Sequence, residues 1–113
     1  MDCLFCKIIE GTIPSTKVYE NDHVLAFKDI APQAPVHIVI IPKKHIATMN
    51  DVTREDDVAL AEIFAAARQI ARDLGIADNG YRLINNTNKD GGQTVFHLHF
   101  HLLGGTTLTP QVN

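Results

Sequence analysis

The sequence has little that would tie it to a membrane, a nucleic acid or an oxidising compartment. None of its apolar runs approaches the ~20 residues that span a bilayer. The opening MDCLFCKIIEG has no basic stretch followed by a long apolar core, so no secretory signal is read and a cytoplasmic location is expected. Lys and Arg number 10 against 13 Asp and Glu, for a net charge of -3, and no basic cluster exceeds Lys43-Lys44. That balance argues against binding along a nucleic-acid backbone. No repeat, linker or low-complexity tract is visible. What remains is 113 residues, 45% of them apolar, enough for one domain with a core that needs no staples.

Cysteine is equally sparse. Cys3 and Cys6 are the only two, in a C-x2-C spacing. A structural disulfide is not expected in a reducing compartment. A thioredoxin-like site would need a strand just before the pair, and none is read there. The spacing suits half a zinc site, with two thiolates from a short turn and two histidines from elsewhere. Two unmetallated thiols are the alternative.

The elements follow from period and punctuation. Leu4 to Glu10 reads as a short helix stopped by Gly11. Thr16–Glu20 and His23–Lys28 alternate about Asn21-Asp22, a hairpin signal. Asp29 to Pro35 carries two prolines and reads as a loop. Val36 to Ile41 is a near-continuous apolar run of strand length, ended by Pro42, and predicts a central strand. Thr53 to Leu74 predicts the one long helix, with a capping Thr53, acidic residues at its start and Gly75 at its stop. Leu60, Ile63, Phe64, Ala67, Ile70, Ala71 and Leu74 would form its buried stripe. Gly80–Asn86 predicts a strand, and Thr87–Gly92 a polar turn. The order predicts an α+β domain with an antiparallel sheet, one long helix and a short N-terminal helix.

The chemistry concentrates in Gly91-Gly92-Gln93-Thr94-Val95-Phe96-His97-Leu98-His99-Phe100-His101-Leu102-Leu103-Gly104-Gly105. Three of the six histidines alternate here with apolar residues, which reads as a strand of period two. Phe96, Leu98, Phe100 and Leu102 would pack inward, and His97, His99 and His101 would line the other face at spacings of about 6.6 Å. Three readings compete. A histidine is often a part-buried residue satisfied by one hydrogen bond, but three in register beside a strictly apolar face disfavour that. His-x-His on a strand chelates metals, yet no carboxylate lies inside the run. The third reading, a nucleophilic imidazole beside anion-binding groups, ranks first. Gly91 and Gly92 let the backbone approach a phosphate, and Gln93 and Thr94 add donors.

His-φ-His-φ-His-φ-φ, with φ apolar, is the signature of the histidine triad (HIT) proteins, and HLHFHLL resembles it without a gap. The flanking GGQTV and Gly104-Gly105 resemble the Hint branch, the nucleoside phosphoramidases, more than the diadenosine polyphosphate branch, which continues with Pro-Arg. The likeness extends through FKDIAPQAPVHIVIIPKKHI and GYRLINN, and so over nearly the whole chain.

The resemblance implies cleavage of purine nucleoside 5′-phosphoramidates (AMP–amine type) through a covalent nucleotidyl-histidine. No cofactor would be needed for the catalysis itself. It implies that His99 is the nucleophile, its tautomer fixed by the His97 carbonyl, and that His101, Gly92 and Gln93 position the phosphate. Thr94 would lie near the leaving group. His37 resembles the family's fourth histidine, supporting the row from behind; read from its own run, it is a buried, singly bonded residue. Asn86 becomes a phosphate donor rather than a turn former, and Asp29 an acceptor for the ribose hydroxyls. Phe27, Ile30, Phe5 and Ile8 become walls for the base, although they serve equally as core. In bacterial relatives the cysteine pair joins two histidines around a structural zinc, here His45 and His97. A homodimer with the sheet running across both subunits is also implied, with small purine nucleotides as ligands and neither nucleic acid nor membrane as partner. Dinucleoside polyphosphate hydrolysis and a nucleotide-binding interaction module with little turnover are the alternatives. Two departures bear on specificity: Thr94 stands where the branch usually has Ser, and the tail from Thr106 to Asn113 is short and lacks an aromatic residue.

Overall fold

The computed structural model describes residues 2–110, so Gln111, Val112 and Asn113 of the expected tail lie outside it. Seven regular elements make up the fold: α1 (Leu4–Glu10), β1 (Lys17–Glu20), β2 (Val24–Lys28), β3 (Val36–Pro42), α2 (Asp57–Asp73), β4 (Tyr81–Ile84) and β5 (Phe100–Gly104). The strands form one antiparallel sheet in the order β1-β2-β3-β5-β4. The α+β class read from the sequence is the observed one.

Both faces of the sheet centre are covered, which explains the unbroken apolar runs of β2 and β3. Val24, Ala26, Ile38 and Ile40 pack with Leu102, Phe100 and Leu98 beneath α2. Leu25, Phe27, Val39 and Ile41 face the other way and pack against Phe5 and Ile8 of α1. Fully burying each such side chain contributes about 1.5–3 kcal/mol, so β3 is a rigid platform. Its next inward position on the α1 side is His37, and Val39 pairs with His101 across the ladder. Two histidines are thereby fixed to the face that α1 covers.

The ends of α1 and α2 follow their caps. Gly11 takes φ +84° and closes α1 with its N–H on the Ile8 carbonyl. Before α2, Asp56 accepts the Thr53 N–H in a capping box, so the first predicted turn is a 3-10 turn, Arg54–Asp56. The buried stripe of α2 is Ile63, Ala66, Ala67, Ile70 and Ala71. Phe64 and Leu74, expected within it, are more than a third exposed. Phe64 flanks the stripe, its ring edge-on to Phe100 at 5.6 Å. Among the described residues, no helix is long and apolar enough to cross a membrane.

The histidine-rich strand is shorter than its alternation predicted. Only Phe100–Gly104 enters the sheet, and residues 95–99 peel away from it. Their backbone groups are claimed elsewhere. The Leu98 N–H donates to the Ile46 carbonyl at 2.6 Å, the His97 carbonyl accepts from a ring, and the His99 carbonyl accepts from the Asn85 side chain. Leu98 still points into the core, whereas Phe96, expected inward, is 49% exposed.

Candidate active site

His99 sits where the chain leaves the sheet and is 5% exposed. Its Nδ1–H donates to the His97 carbonyl at 2.7 Å, so in the neutral ring the lone pair is on Nε2. No buried side-chain nitrogen or oxygen among the described residues lacks a hydrogen-bond partner. His99 Nε2 has none among the described residues, so it is the ring atom open to solvent. The ring stands edge-on to Phe5 at 5.1 Å and to His101 at 5.1 Å. Burial holds the His99 imidazole below its ordinary 6.5, against the opposing pull of the His97 carbonyl and the Asp29 charge. At neutral pH the ring is uncharged.

A second line of hydrogen bonds sets the neighbouring rings. The Gln33 backbone N–H donates to His37 Nδ1 at 3.0 Å, which places the His37 proton on Nε2. That N–H donates to His101 Nδ1 at 2.9 Å. By the same logic His101 carries its proton on Nε2. Burial, then the nearby His99 and His37 rings, lower the His101 pKa too. Asp29 stands beside the pair, with Oδ2 3.4 Å from His37 Nε2 and Oδ1 accepting the Ala31 N–H. Asp29, His37 and His101 are close enough to hold a cation. Yet His37 has one lone pair and spends it on Gln33, so the arrangement is an ordered donor chain rather than a ligand set. His99 offers a lone pair and His101 offers an N–H, side by side.

His97 turns away from them. It is fully buried, and its Nε2–H donates to the Pro42 carbonyl at 2.8 Å, which leaves Nδ1 facing Cys3, Cys6 and His45. One row of three imidazoles on a common pocket, as the alternation suggested, is therefore corrected to two. The peeled backbone rotates His97 onto the cysteine pair. Its pKa also lies below 6.5, mainly through burial. His97 Nδ1 is 3.3 Å from Cys3 Sγ, 3.6 Å from Cys6 Sγ and 3.3 Å from His45 Nδ1, and Cys6 Sγ is 3.4 Å from His45 Nδ1. Tetrahedral zinc, with arms of about 2.3 Å to sulfur and about 2.05 Å to nitrogen, needs N–N edges of about 3.3 Å and N–S edges of about 3.6 Å. The four side chains fit such an ion in donor type and in the four edges given, and the His97 tautomer turns a lone pair toward it. Burial, and then the side-chain hydrogen bond with the free thiol of Cys3, push the Cys6 thiol up to about 11.

The remaining expected residues scatter. Phe5, Ile8 and Phe27 are buried together in the α1-side core, and Phe5 reaches both His99 and His97. Ile30 is fully exposed and walls nothing among the described residues, because the Asp29–Ala31 turn points it outward. Gln93 is 7% exposed and its amide is used up. Nε2 donates to the Ala47 and Val95 carbonyls, and Oε1 accepts the Asn88 N–H. It ties the loop together and has no side-chain N–H left for a phosphate. The Gly92 and Gln93 backbone N–H groups are also spent, on the Lys89 and Asn88 carbonyls. Gly92 has φ +81°, and a Cβ on Gly91 would meet the Thr87 carbonyl oxygen at 2.4 Å, so both glycines serve the turn. Thr94 is exposed and lines a hollow of about 500 Å³ with Cys3, Leu4, His45 and Phe96. Asn86 is half-buried just beyond β4. Two residues were missed: Gln33, whose contribution is a backbone N–H without a side-chain signature, and Asn85, which reads as an ordinary strand-end residue.

Comparison with known proteins identifies the family. The HIT domain profile matches residues 10–108. The purine nucleoside phosphoramidase of Escherichia coli K12 is 53% identical over 111 residues, covering 98% of this chain and 93% of that protein. A HIT family hydrolase from Legionella pneumophila Philadelphia 1 superposes with a TM-score of 0.94 at 54% identity, covering 96% of this chain and 97% of its own. The HIT family hydrolase from Clostridium thermocellum superposes at 0.96 with 52% identity, over 99% and 97%. A profile match over most of the chain, with half-identical relatives along its length, places this protein in the HIT domain family.

Proposed function

We propose that this protein hydrolyses purine nucleoside 5′-phosphoramidates, with His99 as the nucleophile. One observation carries the reading: His99 donates Nδ1–H to the His97 carbonyl, so its only lone pair is on the solvent-open Nε2 of a neutral ring. The name of the E. coli relative supplies the substrate class. The lone pair attacks phosphorus, the P–N bond breaks, and the amine leaves with a proton taken from solvent. Water then attacks the nucleotidyl-histidine, restores Nε2 and releases the nucleoside 5′-monophosphate. His101 Nε2–H donates to a phosphoryl oxygen, where charge builds up. It is a hydrogen-bond donor rather than the acid, since losing that proton would leave an anionic ring. His37 acts only through His101. Asn86 is assigned to the phosphate, Asp29 to the ribose hydroxyls, and Phe5 and Phe27 to the floor beneath the base. Thr94 is assigned to the leaving-group side.

Cys3, Cys6, His45 and His97 are proposed to hold a structural zinc. Bound there, the ion would cross-link α1 to the segments carrying the two histidines, with four protein ligands and no open position for water. A homodimer is proposed across the open edge of β4, where Tyr81 and the nearby Leu74 expose apolar surface. Sedimentation at assay concentration checks it.

The functional reading is tested by steady-state rates on adenosine and guanosine 5′-phosphoramidates and on a diadenosine polyphosphate, for the wild type and His99→Ala. The expected result is fastest turnover of the phosphoramidates, abolished in His99→Ala with AMP binding retained. Faster cleavage of the polyphosphate would favour that substrate class. Micromolar binding with negligible turnover would favour an interaction module.

A further inference from the structure

The chain leaves the sheet just where it carries the nucleophile, and Asn85 occupies the gap. Regular β4–β5 pairing ends at Ile84 with His101. One further antiparallel pair would be Asn85 with Phe100, and the next Asn86 with His99. Instead, the side chain of Asn85 reaches across. Its Nδ2 donates to the His99 carbonyl at 2.9 Å, and the Thr87 hydroxyl donates to its Oδ1 at 2.7 Å. The pair of bonds fixes the orientation of the amide, because the flipped form would set two oxygens against each other. A half-buried amide following Leu83 and Ile84 costs desolvation that an apolar residue would not incur. Both of its heteroatoms are matched here.

The consequence falls on His99. Upstream, its ring is tied to the His97 carbonyl; downstream, its own carbonyl is tied to Asn85. The two ties lie on opposite sides of the His99 Cα. Together they restrain the backbone and χ1 torsions that aim Nε2. We propose that Asn85, oriented by Thr87, is a positioning residue for the nucleophile: its side-chain amide replaces the lost ladder bond and holds the His99 ring on the line of attack. Asn85 touches neither phosphorus nor leaving group. The inference rests on the assignment of His99 as nucleophile, and its test separates the two.

Asn85→Ala removes the donor. Asn85→Asp keeps the shape but presents an oxygen to the His99 carbonyl. Thr87→Val removes the orienting hydroxyl and Thr87→Ser restores it. Turnover of adenosine 5′-phosphoramidate, AMP affinity, melting temperature and the ring ¹⁵N signals of His99 are measured on each full-length protein. Loss of one aligning hydrogen bond predicts about a tenfold fall in kcat for both Asn85 variants and about threefold for Thr87→Val. KM and AMP affinity stay within about twofold, Thr87→Ser remains close to the wild type, and the His99 Nδ1–H signal shifts or broadens in step with kcat. Unchanged kcat and ring signals in both Asn85 variants overturn the proposal, as does a fall in kcat that tracks melting temperature without movement of the His99 signal. Should the wild type fail to turn over the phosphoramidate, the functional reading falls, and the ring signals alone decide whether Asn85 positions His99.

Discussion

Replacing His37 with alanine deletes the donor to His101 and leaves intact every group assigned to phosphorus. The lost contact is a 2.9 Å bond between neutral imidazoles. Such a bond contributes about 0.5–1.5 kcal/mol net, so its removal predicts a fall in kcat of roughly two- to twelvefold. A positioned proton donor acting directly on substrate is worth about 10²–10⁴-fold, so the size of the loss identifies the role. The substitution also removes the acceptor of the Gln33 N–H, but Gln33 is exposed and water takes the vacated place. Each lost hydrogen bond costs about 0.5–1.5 kcal/mol of stability, or roughly 2–6 °C in melting temperature for a domain of this size. Rates are therefore compared well below the variant's own transition. His101→Ala and the His37→Ala/His101→Ala double variant complete the cycle. If His37 works only through His101, the double variant is no slower than His101→Ala alone. A loss beyond a hundredfold for His37→Ala, or additive losses in the cycle, refutes the relay.

Other consequences follow from the same geometry. His99 and His101 both titrate below 6.5 in the folded chain. The neutral nucleophile persists as pH falls to 6.5, and kcat/KM drops only below it; an acid limb centred above 6.5 contradicts the burial argument. For stability the sign is the same. The unfolded chain binds more protons between the depressed values and 6.5, so stability present above 6.5 is lost as pH falls through that window, read as a falling melting temperature. Elemental analysis is expected to give about one zinc per chain. Its removal by a chelator, or Cys6→Ser, should lower the melting temperature and speed amide exchange across α1; unchanged exchange after a stoichiometric metal is stripped would count against the cross-link. Phe5→Ala should cost about 3–5 kcal/mol and lower kcat/KM as well, because the ring contacts Phe27 and His99 alike. Loss of stability with undiminished kcat/KM would remove Phe5 from the site.

The elements that the sequence made legible are those whose side-chain pattern and backbone pairing coincide. Val36–Ile41 reads as a central strand because both its faces are buried, and the 3.6-residue stripe of α2 is recovered from Ile63 to Ala71. The stretch 95–99 shows where pattern and pairing part. Its strict alternation was read as strand, but alternation records side-chain chemistry and says nothing of which carbonyl an N–H will find. The Leu98 N–H finds Ile46, and the His99 ring N–H finds the His97 carbonyl two residues back. The same limit hid the role of Gln93, a donor in composition whose amide is consumed by three backbone groups in the fold. C-x2-C spacing announced half a metal site. The other half, His45 and His97, came from family resemblance, since they join Cys3 and Cys6 only through tertiary folding. Asn85 and the Gln33 N–H carry no sequence signature at all.

The account stands or falls on whether the His99 Nε2 lone pair becomes a bond to phosphorus. Acid-free quenching of a single turnover of adenosine 5′-phosphoramidate, followed by peptide mass mapping, addresses it most directly. The predicted result is an adenylyl group on the peptide spanning His97 to His101, carried by Nε2 of His99, forming and decaying at rates compatible with kcat and absent from His99→Ala. Turnover without any such adduct, together with inversion of configuration at phosphorus, would mean that water attacks in one step and would contradict the central claim.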